Sequence, residues 1–281
     1  MTQDQIRLLD GFAFYLHEEE RSKNTITKYI RDMQAFFAYL KGEKISKNAL
    51  LKWKEYLCET YAPASVNSML AAVNHFLDWA GHPEYKVKPI KIQRPIFSRQ
   101  DKELTKKEYI RLVEAAENIK NRRLSLLLQT ICATGIRVSE VCFISAEAVK
   151  TGRSVVDCKG KKRIILLPDR LSCALRCYCR EEGIESGVVF RTKTGTPLDR
   201  SNIWRDMKAL CRSAGVEPGK VFPHNLRHLF AKTYYQLEKD LSRLADLLGH
   251  SSVNTTRIYT MESGREHIKQ LERMGMVLTW T

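Results

Sequence analysis

The run from His224 to Thr260, HNLRHLFAKTYYQLEKDLSRLADLLGHSSVNTTRIYT, carries His224, Arg227, His250 and Tyr259. These are residue types that can grip, polarise and attack a phosphate ester. Apolar residues recurring at three and four predict short helices at about 224–237, 240–248 and 252–258, with Gly249 ending the second. His224 and Arg227 lie three apart, so one helical face presents both. His228, four residues after His224, lacks the intervening glutamate of a zinc-protease helix and is read as structural.

Two segments upstream hold matching chemistry. ATGIRVSEV supplies Arg137, with a helix predicted over 137–147. SVVDCKGKKRIILLP alternates in a β-like way around Lys159-Gly160, which predicts two strands and a tight turn. Taken in order, TGIRVSE, HNLRH and LGH followed nine residues later by Tyr259 resemble the signature of the tyrosine recombinases, the phage integrase family, in its Xer-like form. Many relatives have threonine where this chain has Leu229, a position read as packing. The resemblance implies that Tyr259 is the nucleophile and that Lys159, on the hairpin turn, protonates the departing 5′ oxygen. Lys161 and Lys162 compete for that role. It also implies that His250 hydrogen-bonds the scissile phosphate, with Glu140 and Asn225 in support.

The residues bear a physical reading of their own. The transition state at a phosphodiester carries more negative charge on its nonbridging oxygens than the ground state does, and the planar forks of Arg137 and Arg227 fit those oxygens better than lysine would. A phenol with an ordinary pKa of about 10 needs a base or a positive environment, and His224 is the candidate to accept the Tyr259 proton. No Walker-type glycine loop or magnesium-binding carboxylate cluster accompanies these residues, so neither cofactor nor metal is expected. Singly, Tyr259 would be a helix-end aromatic, His250 a helix-terminal charge and Arg137 half of a surface ion pair; in ordered company they read as one site.

Outward from the site, the chain divides. Residues 1–82 read as four helices, at about 3–20, 23–41, 46–60 and 63–80, and make a small all-helical domain. In the second, Ile26, Tyr29, Ile30, Met33, Phe36, Phe37 and Leu40 form one apolar stripe. Periodicity then fails over 83–102, where three prolines and Lys86, Lys88, Lys91, Arg94, Arg99 and Lys102 predict an extended basic linker that can follow a phosphate backbone. With Lys161 and Lys162, these basic residues from Lys86 to Arg99 are the candidate DNA contacts. Residues 103–281 form a second, mainly helical domain with a small β-sheet, opening at a capping box of Thr105 and Glu108. Further helices are predicted at about 121–133, 169–182, 200–213 and 264–274. The resemblance makes the first domain a SAM-like core-binding domain and the second a mixed α/β catalytic domain, closing as a C-shaped clamp on DNA with no separate arm-binding domain.

A formal net charge of +15 over 281 residues points to a polyanionic partner. The resemblance specifies double-stranded DNA with inverted-repeat core sites, a homotetramer on two such sites, a Holliday-junction intermediate and host or accessory directionality factors. The expected role is integration and excision of a mobile element, or DNA inversion. A type IB topoisomerase shares this chemistry, and a non-catalytic DNA-binding regulator could keep the scaffold. No apolar run is long enough to span a membrane, and no signal peptide opens the chain, so a cytoplasmic, nucleoid-associated protein with reduced cysteines is expected. Cys173, Cys177 and Cys179 are close in sequence but lack the fourth ligand and the spacing of a zinc site.

Overall fold

A computed structural model describes residues 2–92, 102–158, 161–250, 252–259, 268, 271–274 and 276. The chain separates into two compact units, Met1–Arg94 and Pro95–Thr281.

The first unit is built from α1 (Gln3–Glu18), α2 (Lys23–Leu40), α3 (Lys47–Thr60) and α4 (Pro63–Trp79). Thr2, Ser22 and Ser46 cap the first three through their side-chain oxygens, and Pro63 opens the fourth, where its missing N–H costs nothing. Phe12, Met33, Phe36, Trp53 and Phe76 form the buried centre, with Phe12 edge-on to Phe76. Most of the α2 stripe points there as expected; Ile26, Tyr29 and Ile30 lie at its margin.

The predicted linker is corrected in its first half. Pro83–Tyr85 form a 3-10 turn, and the segment after it is docked on α4 by two side-chain amides. Asn74 bonds both the N–H and the carbonyl of Val87 at 3.0 and 2.9 Å, and Asn67 does the same for Ile90 at 2.7 and 2.9 Å. Two residues seven apart share a helix face, so α4 zips the strap down along one line. A proline-rich composition predicts an extended backbone but cannot show which amides will claim its polar groups. Residues 93–101 lie outside the described residues.

The second unit comprises α5 (Lys106–Asn118), α6 (Arg122–Thr134), α7 (Ala146–Thr151), β1 (Arg153–Cys158), β2 (Lys161–Leu166), α8 (Asp169–Glu181), α9 (Arg200–Ala209), α10 (Cys211–Ala214), α11 (Pro223–Glu238), α12 (Leu241–Leu248) and α13 (Val253–Thr256). The Thr105–Glu108 capping box forms as expected. β1 and β2 pair antiparallel, with Val156 opposite Arg163 and Cys158 opposite Lys161. Val156, Ile165 and Leu167 are buried while Val155, Ile164 and Leu166 are exposed, so the hairpin packs one face onto the helices.

Three predicted helices are corrected. The span 137–147 is a 3-10 stretch, Val138–Phe143, followed by a break and then α7. At the break, Ile144 accepts the Val189 N–H, Ser145 bridges to Val188, and the Ser145 hydroxyl caps α7. Strand-like pairing with a distant segment therefore outcompetes helix continuation. The predicted 200–213 helix divides at Leu210, and 252–258 becomes α13 plus a 3-10 turn, Arg257–Tyr259. Of the predicted 264–274 helix, Ile268 and residues 271–273 are helical; the rest of 260–270 lies outside the described residues. Among the described residues, no helix is long and apolar enough to cross a membrane, and no group of three or more His, Cys, Asp or Glu could hold a metal ion.

Candidate active site

Two glycines in left-handed conformation shape the site. Gly135 ends α6 at φ +62°, and a Cβ there would lie 2.4 Å from the Phe230 ring. Gly249 ends α12, also at φ +62°, and its Cβ would lie 2.5 Å from Cδ of Arg163. Each satisfies both a positive φ and a close approach, which only glycine combines without strain.

The end of α12 is the acceptor around which the arginines gather. Three consecutive carbonyls each take a guanidinium donor: Leu247 from Arg163 Nη1 at 2.9 Å, Leu248 from Arg227 Nη2 at 2.9 Å, and Gly249 from Arg137 Nη2 at 3.0 Å. Terminal helix carbonyls lack intrahelical partners and carry the negative end of the helix dipole, so they suit cations. Arg227 Nη1 also donates to the Gly135 carbonyl at 2.5 Å. Glu140, 3% exposed, completes the frame: Oε1 accepts from Arg137 Nη1 at 2.8 Å, and Oε2 accepts from the Arg137 N–H at 3.0 Å and from Arg163 Nη2. Burial alone would raise the Glu140 pKa, but the bonds from Arg137 and the charge of Arg163 outweigh it and lower the pKa.

α11 delivers Arg227, 4% exposed, into this frame. Its first turn is fixed by Asn225, whose amide donates to the carbonyls of Lys102 and Lys220, both at 2.8 Å. Burial, reinforced by the charge of Arg137, lowers the Arg227 pKa to about 10. The neighbouring Tyr259 acts in the opposite sense on Arg227. Arg137 retains 38% side-chain exposure, so its guanidinium stays open to solvent.

Arg227 Nη2 lies 2.9 Å from Nε2 of His250, whose Nδ1 lies 2.9 Å from the hydroxyl of the fully buried Thr256. Burial, then the charges of Arg227, Arg137 and Arg163, lower the His250 pKa to about 4. The ring is therefore neutral near pH 7, with Nε2 accepting from Arg227 and Nδ1–H donating to Thr256. Tyr259 is 3% exposed; its ring stacks on His250 at 6.1 Å and 14° and meets His228 edge-on at 4.9 Å and 70°.

Of the residues singled out from sequence, Arg137, Arg227, His250 and Tyr259 converge, with Glu140 and Asn225 supporting them. His224 is exposed on the first turn of α11, stacked at 6.5 Å on Phe222; desolvation by surrounding protein and the charge of Arg227 lower its pKa. The histidine packed against Tyr259 besides His250 is His228. Lys159 lies outside the described residues, as does the side chain of Lys161, while Lys162 is exposed. Lys86 is held by both oxygens of Asp78 at 2.8 Å, Lys88 and Lys91 are exposed, and Arg94 and Arg99 lie outside the described residues. Sequence reasoning missed Arg163 and Thr256. Arg163 had a signal, because the alternation that sends Lys162, Ile164 and Leu166 outward sends it to the buried face with Ile165; Thr256 had none.

The phage integrase family model matches residues 102–265, and that of the phage integrase N-terminal SAM-like domain matches 9–83. A tyrosine recombinase XerA from Pyrococcus furiosus is 30% identical over 281 residues, covering 96% of this chain and 94% of that protein. Tyrosine recombinase XerH from Campylobacter jejuni is 34% identical over 167 residues, covering 56% and 47%. The crystal structure of XerA recombinase superposes with a TM-score of 0.54 at 25% identity, over 98% of this chain and all of that one. A lambda integrase dimer bound to a core site shares the fold, with a TM-score of 0.72 at 19% identity over 92% and 96%. With the site's geometry and both domain families in agreement, the chain belongs to the phage integrase family and is a tyrosine-type site-specific recombinase.

Proposed function

We propose that this recombinase cuts and rejoins duplex DNA through a 3′-phosphotyrosyl link at Tyr259, exchanging strands through a Holliday junction to integrate, excise or invert a DNA element. The observation that carries this reading is the burial of the Tyr259 ring stacked beside His250, whose Nε2 lies 2.9 Å from the most buried guanidinium of the site, Arg227.

In the proposed reaction the Tyr259 oxygen attacks phosphorus and its proton passes to His224, which is neutral at pH 7 and free to accept it. Arg137 and Arg227 hold the nonbridging oxygens as charge builds on them. When the phosphate takes the Arg227 donor, Nε2 of His250 loses its partner. The ring can then change tautomer by exchanging its proton with solvent, lost from Nδ1 and regained at Nε2, so that the Thr256 hydroxyl donates to Nδ1 and Nε2–H donates to the phosphate. Lys159 gives a proton to the 5′ oxygen as the P–O bond breaks, and ligation runs the same steps in reverse. The bond energy stays in the phosphotyrosine, so no nucleotide is consumed.

The DNA partner is a pair of inverted-repeat core sites, and the working species is a tetramer, as the lambda integrase tetramer bound to a Holliday junction is described to be. Ile268, Leu271 and Met274 are three apart and exposed by 55–63%, which supports handing this terminal apolar face to a neighbouring protomer. Supercoiled plasmids test the reading. A plasmid with two sites, enriched by the protein from a randomised inverted-repeat library, should yield deletion or inversion products, and a plasmid without them should stay supercoiled. Relaxation of both would indicate topoisomerase action; binding without either product would leave a DNA-binding regulator.

A further inference from the structure

Arg163 lies on β2 four residues beyond Lys159, with its side chain only 14% exposed. An arginine on the core face of a hairpin is costly to desolvate and persists where its donors are used. Here Nη1 donates to the Leu247 carbonyl at 2.9 Å and Nη2 to Glu140 Oε2; among the described residues, the buried Nε has no partner. Cδ packs against Gly249, which has no Cβ to obstruct it.

Both ends of this fork reach the phosphate-gripping arginines at one remove. Glu140 holds Arg137 by its guanidinium and its backbone N–H, and that carboxylate is itself held by Arg163. Leu247 precedes Leu248 and Gly249, whose carbonyls hold Arg227 and Arg137. The Glu140 carboxylate thus lies between two guanidiniums, one open to solvent and one enclosed. We propose that Arg163 is a positioning residue that fixes Arg137 against Arg227 for phosphate binding, by bridging β2, Glu140 and the end of α12 without touching DNA itself.

Lysine cannot replace it, since one ammonium does not hold a carbonyl and a carboxylate at the fixed angle of a guanidinium fork. Misplacing a charge-stabilising group by about 1 Å costs on the order of 10²-fold in rate. The loss should fall on the chemical step.

The inference rests on the phosphotyrosine reading, so the test begins with the wild-type chain on a nicked suicide duplex carrying a library-enriched site. Failure of the wild type to form a covalent adduct defeats that reading and this one with it. Given a wild-type adduct, Arg163→Lys should form it on the order of 10²-fold more slowly at saturating protein, with DNA affinity within about twofold of wild type. A 5′-phosphorothiolate substrate should not restore the rate, because the defect lies at the nonbridging oxygens and not at the leaving group. Glu140→Gln combined with Arg163→Lys should be little slower than the slower single variant, as expected for residues acting through one contact. Arg163→Gln, carried in parallel, keeps the test open if the lysine variant does not fold. A folded variant cleaving at the wild-type rate, a loss confined to affinity, rescue by sulfur, or fully multiplicative effects in the double variant would each overturn the proposal.

Discussion

Replacing Gly135 with alanine should destabilise the second unit far more than the same change at Gly152, although both glycines end helices with positive φ, +62° and +70°. The shared cost is left-handed backbone for a residue with a Cβ, about 1–2 kcal/mol. At Gly152 nothing is added, since the nearest atom to a new Cβ is the Leu167 carbonyl at 3.9 Å. At Gly135 the new carbon would sit 2.4 Å from one Phe230 ring atom and 2.7 Å from another, with Leu248 at 3.0 Å. Forcing that ring aside adds about 1–3 kcal/mol of overpacking. For a unit of this size each kcal/mol moves Tm by about 2–4 °C, so Gly135→Ala should melt about 2–12 °C below Gly152→Ala. Differential scanning calorimetry of the second unit's transition in the full chain reads the difference. Equal Tm shifts would refute the reasoning, because they would mean that Phe230 yields freely and that close approach plays no part in selecting this glycine.

Lys159→Ala should slow cleavage strongly on an ordinary substrate and recover on one with sulfur at the 5′ position, since a thiolate leaves without a general acid; rescue of Lys161→Ala or Lys162→Ala instead would move the role along the turn. Replacing Lys88, Lys91 and Arg94 together by alanine should flatten the salt dependence of DNA binding, where log K falls by about 0.9 per phosphate neutralised, and an unchanged slope in a folded variant would remove this segment from the contact surface. Protein stability should be complete above pH ~6.5 and should fall as pH drops towards about 4, because the unfolded chain takes up protons on His250, His224 and His228 that the folded chain, with all three pKa values lowered, resists. A Tm independent of pH across that window would contradict the neutral-ring assignment.

The elements most legible in the sequence were those whose stability is local. The four helices read at 3–20, 23–41, 46–60 and 63–80 match α1 to α4 within two residues at each end, the apolar stripe of α2 being the plainest signal, and Thr105 with Glu108 announced α5. Long-range pairing was invisible. Nothing in RVSEVCFISAEAV shows that Ile144 and Ser145 will bond to residues 188 and 189, and that pairing is what cuts the predicted helix in two. The docking of 87–90 escaped notice for the same reason, because Asn67 and Asn74 read as ordinary polar positions on a helix until their acceptors are known.

The site was legible in residue type and less so in wiring. Arg137, Arg227, His250 and Tyr259 announce phosphate chemistry by identity and order, and the structure brings them together. That three carbonyls at the end of α12 would receive three arginines depends on where a helix terminus falls in space. Thr256 is a single hydroxyl among several in SSVNTTRIYT, and only its 2.9 Å approach to His250 distinguishes it. His228 likewise gains its place beside Tyr259 from the packing of α11 against the 3-10 turn Arg257–Tyr259.

The identity of the nucleophile tests the account most directly. The wild-type chain is trapped on a nicked suicide duplex bearing its enriched site, digested with trypsin, and mapped for the modified peptide alongside Tyr259→Phe. Removing one oxygen while keeping the ring should preserve DNA binding and assembly. The account predicts DNA on the tryptic segment containing Ile258 and Tyr259, and no adduct from the phenylalanine variant. A phosphotyrosine at Tyr178, Tyr234 or Tyr235, or an adduct that persists in Tyr259→Phe, would contradict it.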